Sequence, residues 1–294
     1  MSIFYGTGVA MVTPFLEDGS VDYNALEKTI EHLIAGKVEY IVVLGTTAES
    51  ATLTDKEKKD IFEFSAKVTN NRIPLMAGIG GNNTAEIVAA VSEFDLPGYK
   101  AVLSVVPYYN KPNQEGIYQH YKAVAEASKL PILLYNVPGR TGVSMSAETT
   151  LRLANNVKNI LGVKEASGSF DIFNQIAANK PKDFLLISGD DPITLPMIAL
   201  GAVGIISVIG NAVPAQLSAM VRKCLAGDFK GAQQAHFSFL PFTKLCFLEG
   251  NPAGVKAGMQ VLGICDDNLR LPLVKVSDET RLKIASEIKK ITTQ

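Results

Sequence analysis

Lys164 closes an apolar run, Ile160-Leu161-Gly162-Val163, where an ammonium is out of keeping with its neighbours. If that run is a strand ending in a dry pocket, desolvation disfavours the charged form and supplies neutral amine, the species that attacks a ketone to make a Schiff base. A structural lysine, paired with Glu165 or reaching to the rim, fits the same residues. Tyr135 ends a second apolar run, and its phenol suits proton donation and uptake during carbinolamine formation and dehydration; a core tyrosine is the alternative. Gly45-Thr46-Thr47 offers N–H groups and two hydroxyls ahead of a helical segment, enough to hold a carboxylate without a fixed positive charge, although capping hydroxyls in an ordinary loop look the same. Arg140, in a loop bounded by Pro138 and Gly142, is either a planar fork for a carboxylate or a solvated side chain. Tyr108 and Tyr109, between Pro107 and Pro112, are rigidly presented for an interface or for catalysis. Asp190-Asp191, followed by Pro192, reads as a helix cap rather than a divalent-metal site. Gly80-Gly81-Asn82-Asn83 matches neither G-x-G-x-x-G nor a GK[ST] ending, so no nucleotide cofactor is expected.

These residues need elements to carry them. Apolar, β-branched runs recur at 8–12, 40–44, 75–79, 101–105, 132–135, 160–164, 185–188 and 204–208, and each is followed by helical periodicity, at 23–35, 56–69, 84–94, 114–128, 147–155, 170–178, 194–200 and 214–226. Runs nearly continuous in Val, Ile and Leu imply strands buried on both faces, as in a parallel sheet covered by helices. The pattern predicts an α/β fold, a closed (β/α)8 barrel, with an open doubly wound sheet as the alternative. Asp22 and Thr54 or Asp55 are placed to cap helices, Pro214 to open one, and Gly36 or Gly227 to end one. Further helices at 230–248, 253–262 and 278–290 suggest a barrel over 1–228 and a helical extension over 229–294 that covers it or packs against another subunit. In such a barrel the chemistry gathers at the carboxyl ends of the strands, which places Lys164 and Tyr135 on neighbouring strand ends of one rim.

Composition narrows the function classes. With 294 residues, 47% hydrophobic and 19% charged, the chain can bury a large core and falls outside the disordered class. Lys plus Arg number 28 against 29 Asp plus Glu, with no basic block, so nucleic acid is not an expected partner. The opening Met1-Ser2-Ile3-Phe4-Tyr5 lacks a signal pattern and no run is long enough to span a membrane, which leads to an expectation of a cytoplasmic protein. Cys224, Cys246 and Cys265 are odd in number and far apart, and His32, His120 and His236 lack metal-ligand spacing, which disfavours disulfides and a zinc site.

The motifs at 45–50, 107–110, 135–142 and 163–166, with the opening segment 6–15 and the 189–191 and 204–207 segments, together resemble the dihydrodipicolinate synthase family almost end to end. That family lies among the pyruvate-dependent class I aldolases, with N-acetylneuraminate lyase. The resemblance implies a TIM barrel that joins pyruvate to L-aspartate 4-semialdehyde through an imine on Lys164, giving 4-hydroxy-tetrahydrodipicolinate, the first committed step of the diaminopimelate route to lysine. It implies a proton relay of Tyr135, Thr46 and Tyr109, the last given across a dimer interface. Thr47 is implied to hold the pyruvate carboxylate, Gly189 and Ile206 to line the pocket, and Arg140 to meet the semialdehyde carboxylate. It further implies a homotetramer built as a dimer of dimers, with no metal or organic cofactor. Ala48 departs from the family's usual Gly, so that turn is expected to use an ordinary backbone conformation.

Many members are inhibited by lysine, and the matching positions here are Ser50, Ala51, Asn82, Glu86 and Tyr108. Asp55 and Lys58 stand where sensitive enzymes often have histidines. The ammonium of Lys58 is expected to repel the inhibitor or pair with Glu86, leaving feedback weak or absent. Two other functions stay open on residues alone: an aldolase or lyase acting on a sugar acid, and a barrel that binds a small carboxylate as a sensor with Lys164 merely structural.

Overall fold

A strand buried on both sides must offer apolar side chains to both, and that is how the strands of this chain behave. The computed structural model describes residues 3–293; Met1 and Ser2, which belong to the N-terminal stretch read above, and Gln294 lie outside them. The strands are β1 (Gly6–Ala10), β2 (Tyr40–Val43), β3 (Leu75–Gly78), β4 (Tyr99–Val105), β5 (Ile132–Asn136), β6 (Ile160–Glu165), β7 (Leu185–Ser188) and β8 (Gly204–Ser207). They pair parallel in chain order, and β1 also pairs with β8, closing the barrel. The fold is the (β/α)8 TIM barrel expected from the rhythm of the sequence.

Alternation along each strand divides the core in two. Tyr40, Val42, Met76, Leu103, Leu133, Leu185, Ile187 and Ile206 fill the interior of the barrel. Ile41, Val43, Leu134, Val163, Leu186 and Ile205 belong to the layer between strands and helices. The barrel interior is thus filled by side chains, and in this fold ligands are taken up at the carboxyl ends of the strands.

The covering helices are α1 (Tyr23–Ala35), α2 (Asp55–Thr69), α3 (Thr84–Glu93), α4 (Gln114–Ala127), α5 (Pro138–Thr141), α6 (Ala147–Asn156), α7 (Phe170–Asn179), α8 (Thr194–Ala199) and α9 (Pro214–Leu225). Asp22 caps α1, Thr54 and Glu57 form a reciprocal capping box on α2, and Pro214 opens α9. The chain continues as α10 (Phe229–Leu248), α11 (Ala253–Val261) and α12 (Asp278–Thr292), which pack on α9 and on one another.

Local differences from the sequence pattern have physical causes. The first strand is shifted two residues toward the N-terminus of the expected run, because the N–H of Val12 is taken by the Asn211 side chain at 3.0 Å instead of by a neighbouring strand. The expected loop around Arg140 contains the helical turn α5, started by Pro138 and ended by Gly142 in the left-handed region.

Gly204 holds the β1–β8 seam. Its φ is +152°, and a Cβ there would lie 1.9 Å from the carbonyl oxygen of Gly6. Gly204→Ala is expected to destabilise the protein by about 2–4 kcal/mol through backbone strain and forced separation of the seam. Urea unfolding of the two proteins checks this, with no loss of Cm counting against it.

Candidate active site

The register of three neighbouring strands builds the centre of the site. Tyr135 on β5 pairs with Lys164 on β6, and Lys164 pairs with Ile187 on β7. Because Val163 faces the helices, Lys164 faces the interior, at the carboxyl end of the barrel. It is 4% exposed, and its Nζ sits 4.2 Å from the centroid of the Tyr135 ring. The close approach of Gly189 confines the lysine stem: a Cβ there would come within 3.0 Å of Lys164 Cε. Among the described residues Lys164 takes part in no salt bridge. The Asp190 carboxyl is raised by burial above its ordinary value, with the charge of Lys164 acting against that rise.

Glu165 does not partner Lys164. It follows on the opposite face of β6, where Oε2 accepts from Asn136 Nδ2 at 2.9 Å and Oε1 accepts from the N–H of Ser167 at 2.7 Å. Burial raises its carboxyl above the usual range. Asn136 also accepts from the N–H of Met145, so this buried pair ties together both ends of the segment that carries Arg140. The structural reading of Lys164 through Glu165 therefore fails on geometry.

The other strand ends are held in the same way. Asp191 accepts from Ser207 Oγ and from the N–H groups of Val208 at 3.0 Å and Ile209 at 3.4 Å, which joins the loop after β7 to the turn after β8. The helix-cap reading of the Asp190-Asp191 pair does not hold: Asp190 stands at the N-cap of the 3-10 turn Asp191–Ile193 without a side-chain cap bond, and Asp191, inside that turn, gives its carboxylate to the neighbouring loop. Asn211 then ties that turn to the end of β1 through Val12 and Ala10. Among the described residues no group of three or more His, Cys, Asp or Glu side chains could hold a metal ion.

Thr46, Thr47 and Ala48 form a 3-10 turn after β2. Thr46 is exposed and its hydroxyl makes no hydrogen bond among the described residues, whereas Thr47 is buried and its Oγ1 accepts from Asn251 Nδ2 at 3.0 Å. Ala48 keeps a negative φ, as expected; the left-handed positions flanking the turn are Leu44 and Glu49. Glu49 and Lys256 form an ion pair at 2.6 Å with both side chains fully buried. Burial lowers the Lys256 ammonium below its ordinary value, and the Glu49 charge opposes that shift. Lys256 also donates to the carbonyl of Asn268, and the N–H of Arg270 donates to the second Glu49 oxygen. Removing either charge would strand the other in the core at a cost of about 3–5 kcal/mol.

Of the remaining predicted residues, Ile206 joins Tyr135 in the inner core. Arg140 is exposed on α5 and pairs with no carboxylate among the described residues. Tyr109 is 87% exposed on backbone with φ +71°, so nothing within its own chain brings it to Lys164. Asn82 donates to the carbonyl of Tyr108 at 3.2 Å, and Glu86 accepts from Asn83, but no hydrogen bond joins Ser50 or Ala51 to them. Lys58 pairs with Asp55 at 3.2 Å and not with Glu86, because the two lie one helical turn apart on α2.

Sequence reading missed Glu49, Asn251, Lys256 and Arg270. Lys256 carried the same signal as Lys164, a lone ammonium among Ala253, Gly254, Val255, Ala257 and Met259.

A closed parallel barrel with a lysine and a tyrosine side by side at its carboxyl end is a (β/α)8-barrel enzyme by class. The model of the dihydrodipicolinate synthetase family matches residues 3–291. The chain is 52% identical over 287 residues to the 4-hydroxy-tetrahydrodipicolinate synthase of Parabacteroides distasonis, covering 98% of this chain and 97% of that one. It is 50% identical to the enzyme of the same name from Cytophaga hutchinsonii, over 100% and 99% of the two chains. The crystal structure of dihydrodipicolinate synthase from Aquifex aeolicus superimposes with a TM-score of 0.94 at 42% identity, over 98% of each chain. The chain belongs to the dihydrodipicolinate synthetase family.

Asp191 gives this site a pH signature. Its carboxyl is pushed up to about 6 from 3.8, chiefly by burial, so the folded protein holds that proton more tightly than the unfolded chain does. The resulting stability is complete below about pH 4 and is lost as pH rises through about 6, up to about 3 kcal/mol. Unfolding free energies of the parent and Asp191→Asn, measured between pH 4 and 8, should therefore differ by an amount that changes across pH 4–6.5 and is flat above it. A difference independent of pH would refute the assignment.

Proposed function

We infer that the chain performs its family's reaction with Lys164 as nucleophile: condensation of pyruvate with L-aspartate 4-semialdehyde to give 4-hydroxy-tetrahydrodipicolinate. The activity is that of a lyase, at the first step of lysine and diaminopimelate biosynthesis. The observation that carries the residue assignment is an amine confined inside the barrel mouth, outside every salt bridge among the described residues and 4.2 Å from the Tyr135 ring.

Lys164 Nζ attacks the keto carbon of pyruvate, and the carbinolamine loses water to leave an imine. Loss of a proton from the methyl carbon gives an enamine, whose carbon adds to the aldehyde of the semialdehyde while the aldehyde oxygen takes up a proton. The amino group of the semialdehyde then attacks the imine carbon. The bond to Nζ breaks, the ring closes and Lys164 is released. The protonated imine is itself the electron sink, so the proposal needs no metal or organic cofactor.

Tyr135 and Thr46 are assigned to the proton relay, completed by Tyr109 from a second copy of the chain; an aromatic left 87% exposed on left-handed backbone supports that placement. Thr47 holds the pyruvate carboxylate, Gly189 leaves space for the adduct, and Ile206 lines the pocket. Arg140 meets the carboxylate of the semialdehyde, where a sugar acid would offer only hydroxyls. The working form is proposed as a tetramer made of two such dimers, acting in the cytoplasm. No helix among the described residues is long and apolar enough to cross a membrane.

Borohydride added with pyruvate should fix one reduced pyruvate unit on Lys164, read by mass spectrometry of peptides. Lys164→Ala should gain none and lose activity on the order of a thousandfold or more. Full activity in that variant would overturn the mechanism.

Ser50, Ala51, Asn82, Glu86 and Tyr108 form the proposed regulatory cleft, with Lys58 beside it. The Lys58 ammonium brings like charge toward an amino-acid inhibitor even when paired with exposed Asp55, because a surface pair is readily opened. Lysine is therefore expected to inhibit weakly or not at all in a steady-state titration. Strong inhibition would contradict the expectation.

A further inference from the structure

Asn251 stands just before α11 and is 6% exposed. Its Nδ2 donates to Thr47 Oγ1 at 3.0 Å across 204 positions of sequence, and its Oδ1 meets no donor among the described residues. A buried carbonyl oxygen left without a partner is costly, so the amide orientation calls for a reason. The same segment grips the other side of the turn: Lys256 on α11 binds Glu49 at 2.6 Å, and Arg270 closes on the second oxygen of that carboxylate. The Thr46–Ala48 turn is thus held at its middle residue and at its C-cap by residues from beyond the barrel strands.

A threonine hydroxyl has one hydrogen and two lone pairs. Filling a lone pair with an amide N–H keeps the hydrogen free for another acceptor. A carboxylate can only accept, so it needs that hydrogen. The opposite amide orientation would draw the hydroxyl hydrogen into Oδ1 and present the keto acid with lone pairs alone.

We propose that Asn251 is the positioning residue that makes the Thr47 hydroxyl a hydrogen-bond donor to the carboxylate of pyruvate. This rests on the imine reading above, with Thr47 as the carboxylate ligand. Asn251 touches no substrate; it acts through the polarity of one hydroxyl.

Asn251→Asp keeps the shape and replaces the donor with an acceptor, turning the Thr47 hydrogen inward. Asn251→Ala removes the donor without adding charge. Each is tested alone and combined with Thr47→Val, after circular dichroism confirms the fold, by the pyruvate concentration that half-saturates borohydride trapping. Asn251→Asp should raise that concentration about tenfold and Asn251→Ala by a smaller factor. In the Thr47→Val background neither should add a further shift, and in steady-state assays the effect should fall on the KM for pyruvate more than on kcat. Half-saturation unchanged from the parent, or an equal shift in both backgrounds, overturns the proposal. If Asn251→Asp does not fold, the alanine pair decides by the same comparison. Absence of any trapped adduct in the parent protein is a different result, since it removes the imine reading itself and this inference with it.

Discussion

The register of β5, β6 and β7 is the constraint from which the site follows. Parallel pairing sets Tyr135, Lys164 and Ile187 at one level of the barrel, and the two-residue period of a strand turns Lys164 inward. A slip of one residue would place Glu165 in the interior and Lys164 under the helices, exchanging amine for carboxylate. Closure between β1 and β8 prevents that slip, because no strand can move without breaking pairings on both sides.

Polar residues at the strand ends divide their labour by face. Lys164, turned inward, enters no salt bridge among the described residues. Those turned outward are saturated: Glu165 with Asn136, Asp191 with Ser207, Asn211 with Val12. A buried carboxylate is tolerable where it collects several donors, and Glu165 and Asp191 do so from loops that must stay in place. The outward set stiffens the loops so that the inward set can remain available. Such stiffness is what a site needs if an amine and a phenol are to meet one substrate in a fixed geometry.

The helices beyond α9 complete this arrangement. Lys256 and Asn251 reach back to the turn after β2, more than 200 positions away in the chain, and Arg270 adds an ion pair to Glu57 on α2. The turn after β2 consequently depends on residues outside the eight repeating units. Its geometry is set by tertiary contact more than by the local conformation of Thr46 and Thr47.

The repeating strands and helices were legible in the sequence because apolar runs and caps are local signals, and Lys164 stood out because an ammonium at the end of such a run contradicts its surroundings. The proximity of Tyr135 was legible too, since consecutive strands of a parallel barrel are neighbours. What only the folded chain decided was partnership: that Glu165 turns to Asn136, that Asp191 serves the loop after β8, that Lys58 pairs along its own helix, and that Asn251 and Lys256 hold the Thr47 turn. The short helix around Arg140 and the two-residue shift of the first strand toward the N-terminus belong to the same class. A linear pattern reports which side of an element is buried, because that depends on a period of two or about 3.6 residues. It does not report which distant donor meets which acceptor, because that depends on how the barrel closes and where the last three helices come to rest.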